Sequence, residues 1–233
     1  MTEKIKVLDK GFVEVLGFLG TDLTVANSAR VSFGKRKNIY DKSDYRLVRY
    51  LAKHKHFSPF RHLVVQLHIK APEFVMRQWY KHVVGIETTS TSVTKDHAWN
   101  EISGRYVPVE DFYIPEVWRK QSDDNKQASD GVLDDLQQKR MNNVYNDFIR
   151  QVEMSYDMMV DAGMAREQAR IVLPLSQYTE VYWTASFQAI MNFIELRDES
   201  TAQWEIQQYA QVVKGLMFDT YPKITKIWSE LYW

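Results

Sequence analysis

The chain has 233 residues, 30 Lys and Arg against 30 Asp and Glu, and no cysteine. That length suits one sizeable core, and the balanced charge lacks the basic footprint of a dedicated nucleic-acid binder. The missing thiol excludes disulfides, zinc–thiolate and iron–sulfur ligation, and a cysteine nucleophile. Residues 1–6 carry no apolar leader core, and no apolar run approaches the length of a membrane span. We therefore expect a cytoplasmic protein with no membrane and no nucleic-acid partner.

In chain order, Ile5 and Val7, then Phe12, Val13 and Val15, predict two short strands about a turn at Asp9-Lys10-Gly11. Asp22 is expected to cap a short helix over 22–30, and Ser43 or Asp44 a second carrying Leu47, Val48 and Leu51. The clearest strand is 63–69, where Leu63, Val65, Leu67 and Ile69 form one apolar face. Pro72 at N1 and Glu73 in the first turn open a helix that carries Gln78 and Trp79 and runs out toward Gly85. The Thr- and Ser-rich stretch 86–99 reads as an exposed loop, and 121–131 as a surface turn. Leu136, Met141, Val144, Phe148, Val152, Tyr156 and Met159 predict a long helix that Gly163 ends. A short helix follows Met164 and closes at Pro174, and 181–196 is read as another helix. Ser200-Thr201-Ala202-Gln203 fits a capping box for a last helix through about Thr220. The fold expected is α+β: a single domain over 1–233, an antiparallel sheet packed with helices, strands before Lys70 and a helix-rich C-terminal half. Without strand–helix alternation, a doubly wound sheet does not fit.

His54, His56, His62, His68, His82 and His97 lack the spacing that presents two ligands to one metal, so no metal site is expected. Asn100-Glu101-Ile102-Ser103-Gly104-Arg105-Tyr106 is richer in chemistry. A serine hydroxyl, a glycine amide and an arginine fork make a plausible phosphate clamp, and Glu101 could hold a ribose or a base edge. The same residues also suit a plain turn with an ion pair. Arg170 stands alone in an apolar segment, where a local carboxylate is its usual partner, and Arg197 follows an apolar helix end, where a cation is favourable. If Arg105, Arg170 and Arg197 converge, they form an anion pocket in a neutral protein.

Several separated motifs in order resemble the flavin-dependent thymidylate synthase family. They are Val7-Leu8-Asp9-Lys10-Gly11-Phe12-Val13, Ala29-Arg30-Val31-Ser32-Phe33, Arg77-Gln78-Trp79-Tyr80-Lys81-His82, the segment 100–106, Ala169-Arg170-Ile171-Val172-Leu173-Pro174, Met191-Asn192-Phe193 through Leu196-Arg197, and Ala202-Gln203-Trp204-Glu205-Ile206-Gln207. The resemblance weakens between 119 and 162. It implies a homotetramer with active sites between subunits, each holding FAD, that methylates dUMP at C5 using methylenetetrahydrofolate as carbon donor and NADPH as reductant. By position, Gln78, Lys81, Glu101, Ser103, Gly104, Arg105, Arg170 and Arg197 would hold dUMP, with Arg197 the catalytic cation that favours the ionised uracil. Ser32, Ser58, Lys81, His82, Val83, Glu101, Ser186, Gln188 and Asn192 would line the flavin.

Departures cluster on the flavin side. Lys81-His82-Val83 stands where the family has Arg-His-Arg: Lys81 keeps charge but loses the planar fork, and Val83 loses charge and hydrogen bonding altogether. Seventeen residues separate His82 from Asn100, so an insertion over about 85–99 is expected. Arg61 replaces a frequent Glu, and Gln188 and Thr201 stand where relatives often carry Arg and His. Two neighbouring readings are a flavin enzyme making another C5 modification of a pyrimidine deoxynucleotide, and a nucleotide-binding homologue without flavin chemistry.

Overall fold

The computed structural model describes residues 2–82, 98–108 and 110–233. Strands β1 (Ile5–Val7), β2 (Gly11–Leu19), β3 (Val64–Pro72), β4 (Trp99–Glu101) and β7 (Tyr178–Ser186) form a five-stranded sheet in the order β1-β2-β3-β7-β4. Every pairing in it is antiparallel. Strands β5 (Arg119–Gln121) and β6 (Ser129–Val132) make a separate hairpin. Helices α1 (Asp22–Arg30), α2 (Lys42–Lys53), α3 (Glu73–Trp79), α6 (Phe187–Arg197), α7 (Trp204–Thr220) and α8 (Pro222–Tyr232) pack around the sheet. Helix α4 (Asp135–Asp161) and the one-turn α5 (Arg166–Ala169) lie apart from most of that core. The class is α+β, as expected, but its strands do not stop at Lys70.

The alternation in β3 sends Val65, Leu67, Ile69 and Ala71 into the core, all with no exposed surface. In β7, Val181, Trp183 and Ala185 face the same way while Tyr182 stays exposed. The helix expected over 181–196 is therefore corrected to a strand followed by a helix. Val-Tyr-Trp-Thr is a β-branched and aromatic run, and pairing along the full length of β3 decides its state. Ser186 marks the switch, its Oγ accepting from Ala189 N at 3.2 Å to cap α6.

Other corrections follow from capping. Thr21, not Asp22, precedes α1, and Asp41, not Ser43 or Asp44, caps α2 by accepting from both of their amides. The Asp22 carboxylate instead accepts from Lys223 N and Ile224 N at 3.1 and 3.0 Å, capping α8. Pro222 opens that helix rather than ending the fold's helical part. Pro72 is the last residue of β3 and precedes α3, so it is not at N1. The surface turn expected over 121–131 is largely the β5–β6 hairpin, and α3 stops at Trp79.

Beneath the sheet the core is aromatic. Trp79 stacks on Phe193 at 4.3 Å and meets Trp183 and Tyr209 edge-on. Gly11 is required where α7 crosses the hairpin, because a Cβ there would lie 2.0 Å from the Tyr209 hydroxyl and 2.8 Å from the Lys70 carbonyl oxygen. A smaller cluster of Phe112, Ile149 and Val152 anchors α4. Along the rest of α4, Leu136, Val144, Met154 and Met158 stand exposed. Among the described residues, no helix is long and apolar enough to cross a membrane.

Candidate functional site

Three residues nominated from sequence meet where α3 and α6 end side by side. The Arg197 guanidinium donates through Nε to His82 Nε2 and through a terminal nitrogen to the backbone carbonyl oxygen of Gln78, each at 3.4 Å. His82 is buried, and its ring stands edge-on to Phe193, 5.3 Å between centroids. Phe193 in turn stacks on Trp79, so the aromatic core fixes the imidazole. Burial, and then the neighbouring Arg197 charge, lower the His82 pKa to about 4. Its Nε2 is thus a neutral acceptor, which places the ring proton on Nδ1. Burial also lowers the Arg197 pKa from its ordinary value. The arrangement is a partly desolvated cation beside an uncharged base, suited to stabilising negative charge on a ligand.

A second group lies on β4 and the turn after it. Glu101 accepts from the Thr179 hydroxyl at 2.7 Å, which fixes its carboxylate over β7. Glu73, at the start of α3, has its pKa raised by burial and then by the Glu101 charge. Ser103 Oγ accepts from Arg105 N and Arg105 Nε, both at 3.3 Å, folding the turn so that Gly104 lies between them. The Arg105 guanidinium lies 5.3 Å from the centre of the Tyr106 ring. Arg166 donates to the Tyr106 carbonyl at 3.1 Å and ties this turn to α5. Arg170 is exposed in the helical turn that follows α5, and among the described residues it has no carboxylate partner. The local ion pair expected for it is absent there.

The residues nominated for the flavin are spread more widely. Ser32 and Ser58 are exposed in two short helical turns, and Lys81 is exposed beside His82. Ser186 and Gln188 are buried, Ser186 as the cap already described. Gln188 Oε1 accepts from Arg61 Nε at 2.7 Å, so two of the departures from the family pattern are in contact. Asn192 is half-buried, and its amide has no side-chain partner among the described residues. Thr201 is exposed ahead of α7. Val83, most of the insertion over 85–99, and His97 lie outside the described residues. A groove of about 610 Å³ runs beside Ser32, lined in part by Ser28, Gly34, Lys35, Arg36 and His62. Its cations and hydroxyl suit the pyrophosphate of a dinucleotide such as FAD.

Sequence reasoning missed the residues behind Gln78. Gln203 receives the Gln78 amide and passes its own to buried Glu205, which pairs with Arg119 from the β5–β6 hairpin. The capping box expected over 200–203 does not form, since Gln203 itself precedes α7 and its side chain makes no cap. A glutamate on the inward face of a helix, in Trp204-Glu205-Ile206, was the available signal. Among the described residues, no group of three or more His, Asp or Glu side chains is arranged to hold a metal ion.

Comparison with known proteins bears on the family of the whole chain. The family model for thymidylate synthase complementing protein matches residues 14–223. The flavin-dependent thymidylate synthase of Thermosipho melanesiensis is 42% identical over 209 residues, 89% of this chain and 85% of that protein. The enzyme of the same name from Thermotoga neapolitana is 40% identical over 220 residues, 94% of this chain and 91% of that protein. Among solved structures, the UMP/dUMP methylase PolB from Streptomyces cacaoi, bound with 5-Br dUMP, superposes with a TM-score of 0.81 at 28% identity, covering 98% of each chain.

Proposed function

The chain belongs to the thymidylate synthase complementing protein family, the flavin-dependent thymidylate synthases, and from that premise we propose that it methylates dUMP at C5 to give dTMP. Its cofactor is a flavin, FAD, with methylenetetrahydrofolate as carbon donor and NADPH as reductant. The observation that carries the reading is the Arg197–His82–Gln78 group, held on the aromatic core in a chain without cysteine. A synthase built on a cysteine nucleophile is impossible here, whereas a flavin route needs no thiol.

The chain's own residues divide the work. Arg105, with Ser103 and Gly104, clamps the phosphate, and Arg170 adds a second cation. Glu101 takes the sugar. Arg197 lies at the uracil ring and stabilises the negative charge that develops there as C5 becomes nucleophilic. Because His82 is uncharged, Arg197 is the cation of that group and its field is not shared with an imidazolium. Ser32, Ser58, Lys81, His82, Glu101, Ser186, Gln188 and Asn192, with Val83, are the residues that would hold the flavin. Bound there, FAD supplies the reducing equivalents and mediates the one-carbon transfer.

The active form is a homotetramer with sites completed between subunits. Support comes from the exposed apolar residues of α4. Soluble nucleotide and folate substrates place the reaction in the cytoplasm. Two measurements test the reading: the absorption spectrum of the purified protein with added FAD, and the product mass from dUMP, methylenetetrahydrofolate and NADPH. A flavin spectrum and a product heavier by one methyl group are expected. A protein that takes up no FAD in excess cofactor would refute the proposal.

A further inference from the structure

The Gln78 side chain ends a directional chain of hydrogen bonds. Arg119 donates to Glu205 Oε1 at 2.6 Å, and the Tyr113 hydroxyl donates to the same oxygen at 3.3 Å. Glu205 is buried, and with a guanidinium against it the carboxylate can only accept. Its other oxygen accepts from Gln203 Nε2 at 3.0 Å. That contact orients the Gln203 amide with its nitrogen toward Glu205 and its oxygen toward Gln78. Gln203 Oε1 then accepts from Gln78 Nε2 at 2.7 Å. The second N–H of Gln78 turns to the Phe74 carbonyl at 3.5 Å, so both donors are engaged within the protein. What remains for a ligand is the side-chain oxygen of Gln78, Oε1, an acceptor. An isolated glutamine could turn either end outward, and this one is set by a fixed charge two residues away along the relay.

We propose that Gln203 and Glu205 are positioning residues that fix the polarity of the Gln78 amide, so that the site selects a hydrogen-bond donor on the nucleotide. The inference rests on the assignment of Gln78 to the dUMP site. Two groups of dUMP have the required chemistry, the 3′-hydroxyl of the sugar and the N3–H of uracil. The relay accounts for selection rather than bulk affinity, because a Gln78 amide free to rotate would accept or donate and would tolerate a ligand lacking the donor.

The test compares dUMP with its 3′-deoxy and N3-methyl analogues by calorimetric binding to the flavin-loaded enzyme. In the unaltered protein, one analogue should bind about tenfold more weakly than dUMP, the worth of one hydrogen bond, and which one identifies the donor. In Glu205→Gln that ratio should fall toward unity. Gln203→Met should do the same with the Arg119–Glu205 pair intact, so a folding defect in the first variant does not decide the outcome. A merely structural role would weaken dUMP and analogue together and leave the ratio unchanged, which would overturn the relay. So would equal binding of all three ligands by the unaltered enzyme. Failure of that enzyme to bind dUMP at all would instead overturn the assignment of the site.

Discussion

Arg197 and Arg105 carry the same guanidinium in opposite settings. Arg197 is fixed against His82 and Gln78 by two helix ends resting on Trp79 and Phe193, and its surroundings are partly dry. Arg105 lies on an exposed turn, held by one serine oxygen and a neighbouring tyrosine ring, and Arg170 is exposed as well. A partly desolvated cation is stronger because water screens it less, and it is ready before the ligand arrives. An exposed one is screened and gains its partner only when an anion binds. One region is built for chemistry on a ring and the other for capture of a phosphate.

The largest expected effect breaks the first half of that contrast. Arg197→Ala should lower the single-turnover rate by about 10²–10³-fold, the scale of losing one preorganised charge partner, while dUMP affinity changes by less than about tenfold. Equal losses in rate and affinity would make Arg197 one more binding residue.

Acid should attack the same region. The His82 pKa lies at about 4 in the folded chain, against 6.5 ordinarily. Between those values the unfolded chain binds more protons, so stability rises with pH through the window. It is complete above 6.5 and lost as pH falls toward 4. The loss is on the order of 3 kcal/mol. The difference between unaltered protein and His82→Gln, in urea titrations at the two ends of the window, measures it, and equal slopes in the two proteins would refute it.

Arg170→Ala and Arg105→Ala should weaken dUMP binding by about 10–100-fold, the range for a charge-assisted contact, with turnover at saturation nearly intact. Binding curves against ionic strength would sharpen the point, since the exposed arginines should make affinity salt-sensitive. Wild-type affinity in Arg170→Ala would remove that residue from the site. The smallest effect belongs to Arg61 and Gln188. A double-mutant cycle on flavin affinity should give a coupling of about 1 kcal/mol, and zero coupling would make their contact incidental.

Much of the fold was legible where one period ruled. Strand β3 alternates cleanly, and α4 repeats every three or four residues, so both were found with small boundary errors. Strand β7 was not, because apolar residues continue from Val181 straight into α6, and such a run fits either state until its partner strand is known. The last helix was missed because Pro222 was taken as a terminator when it sits in the first turn. In the site, the motifs nominated Gln78, His82 and Arg197 and left their mutual contacts open. Glu205 was signalled only by its place on an apolar helix face, and its link through Gln203 to Gln78 stayed hidden because contacts between α3 and the start of α7 leave no local pattern.

The Asp22 carboxylate that caps α8 has a consequence for how the protein opens. The amides of Lys223 and Ile224 are the first donors of that helix, and their acceptor comes from the other end of the sequence. Hydrogen–deuterium exchange at those two positions should therefore report detachment of α1 from α8 ahead of any melting of either helix. They serve as a built-in gauge of whether the two ends of the chain are still clasped.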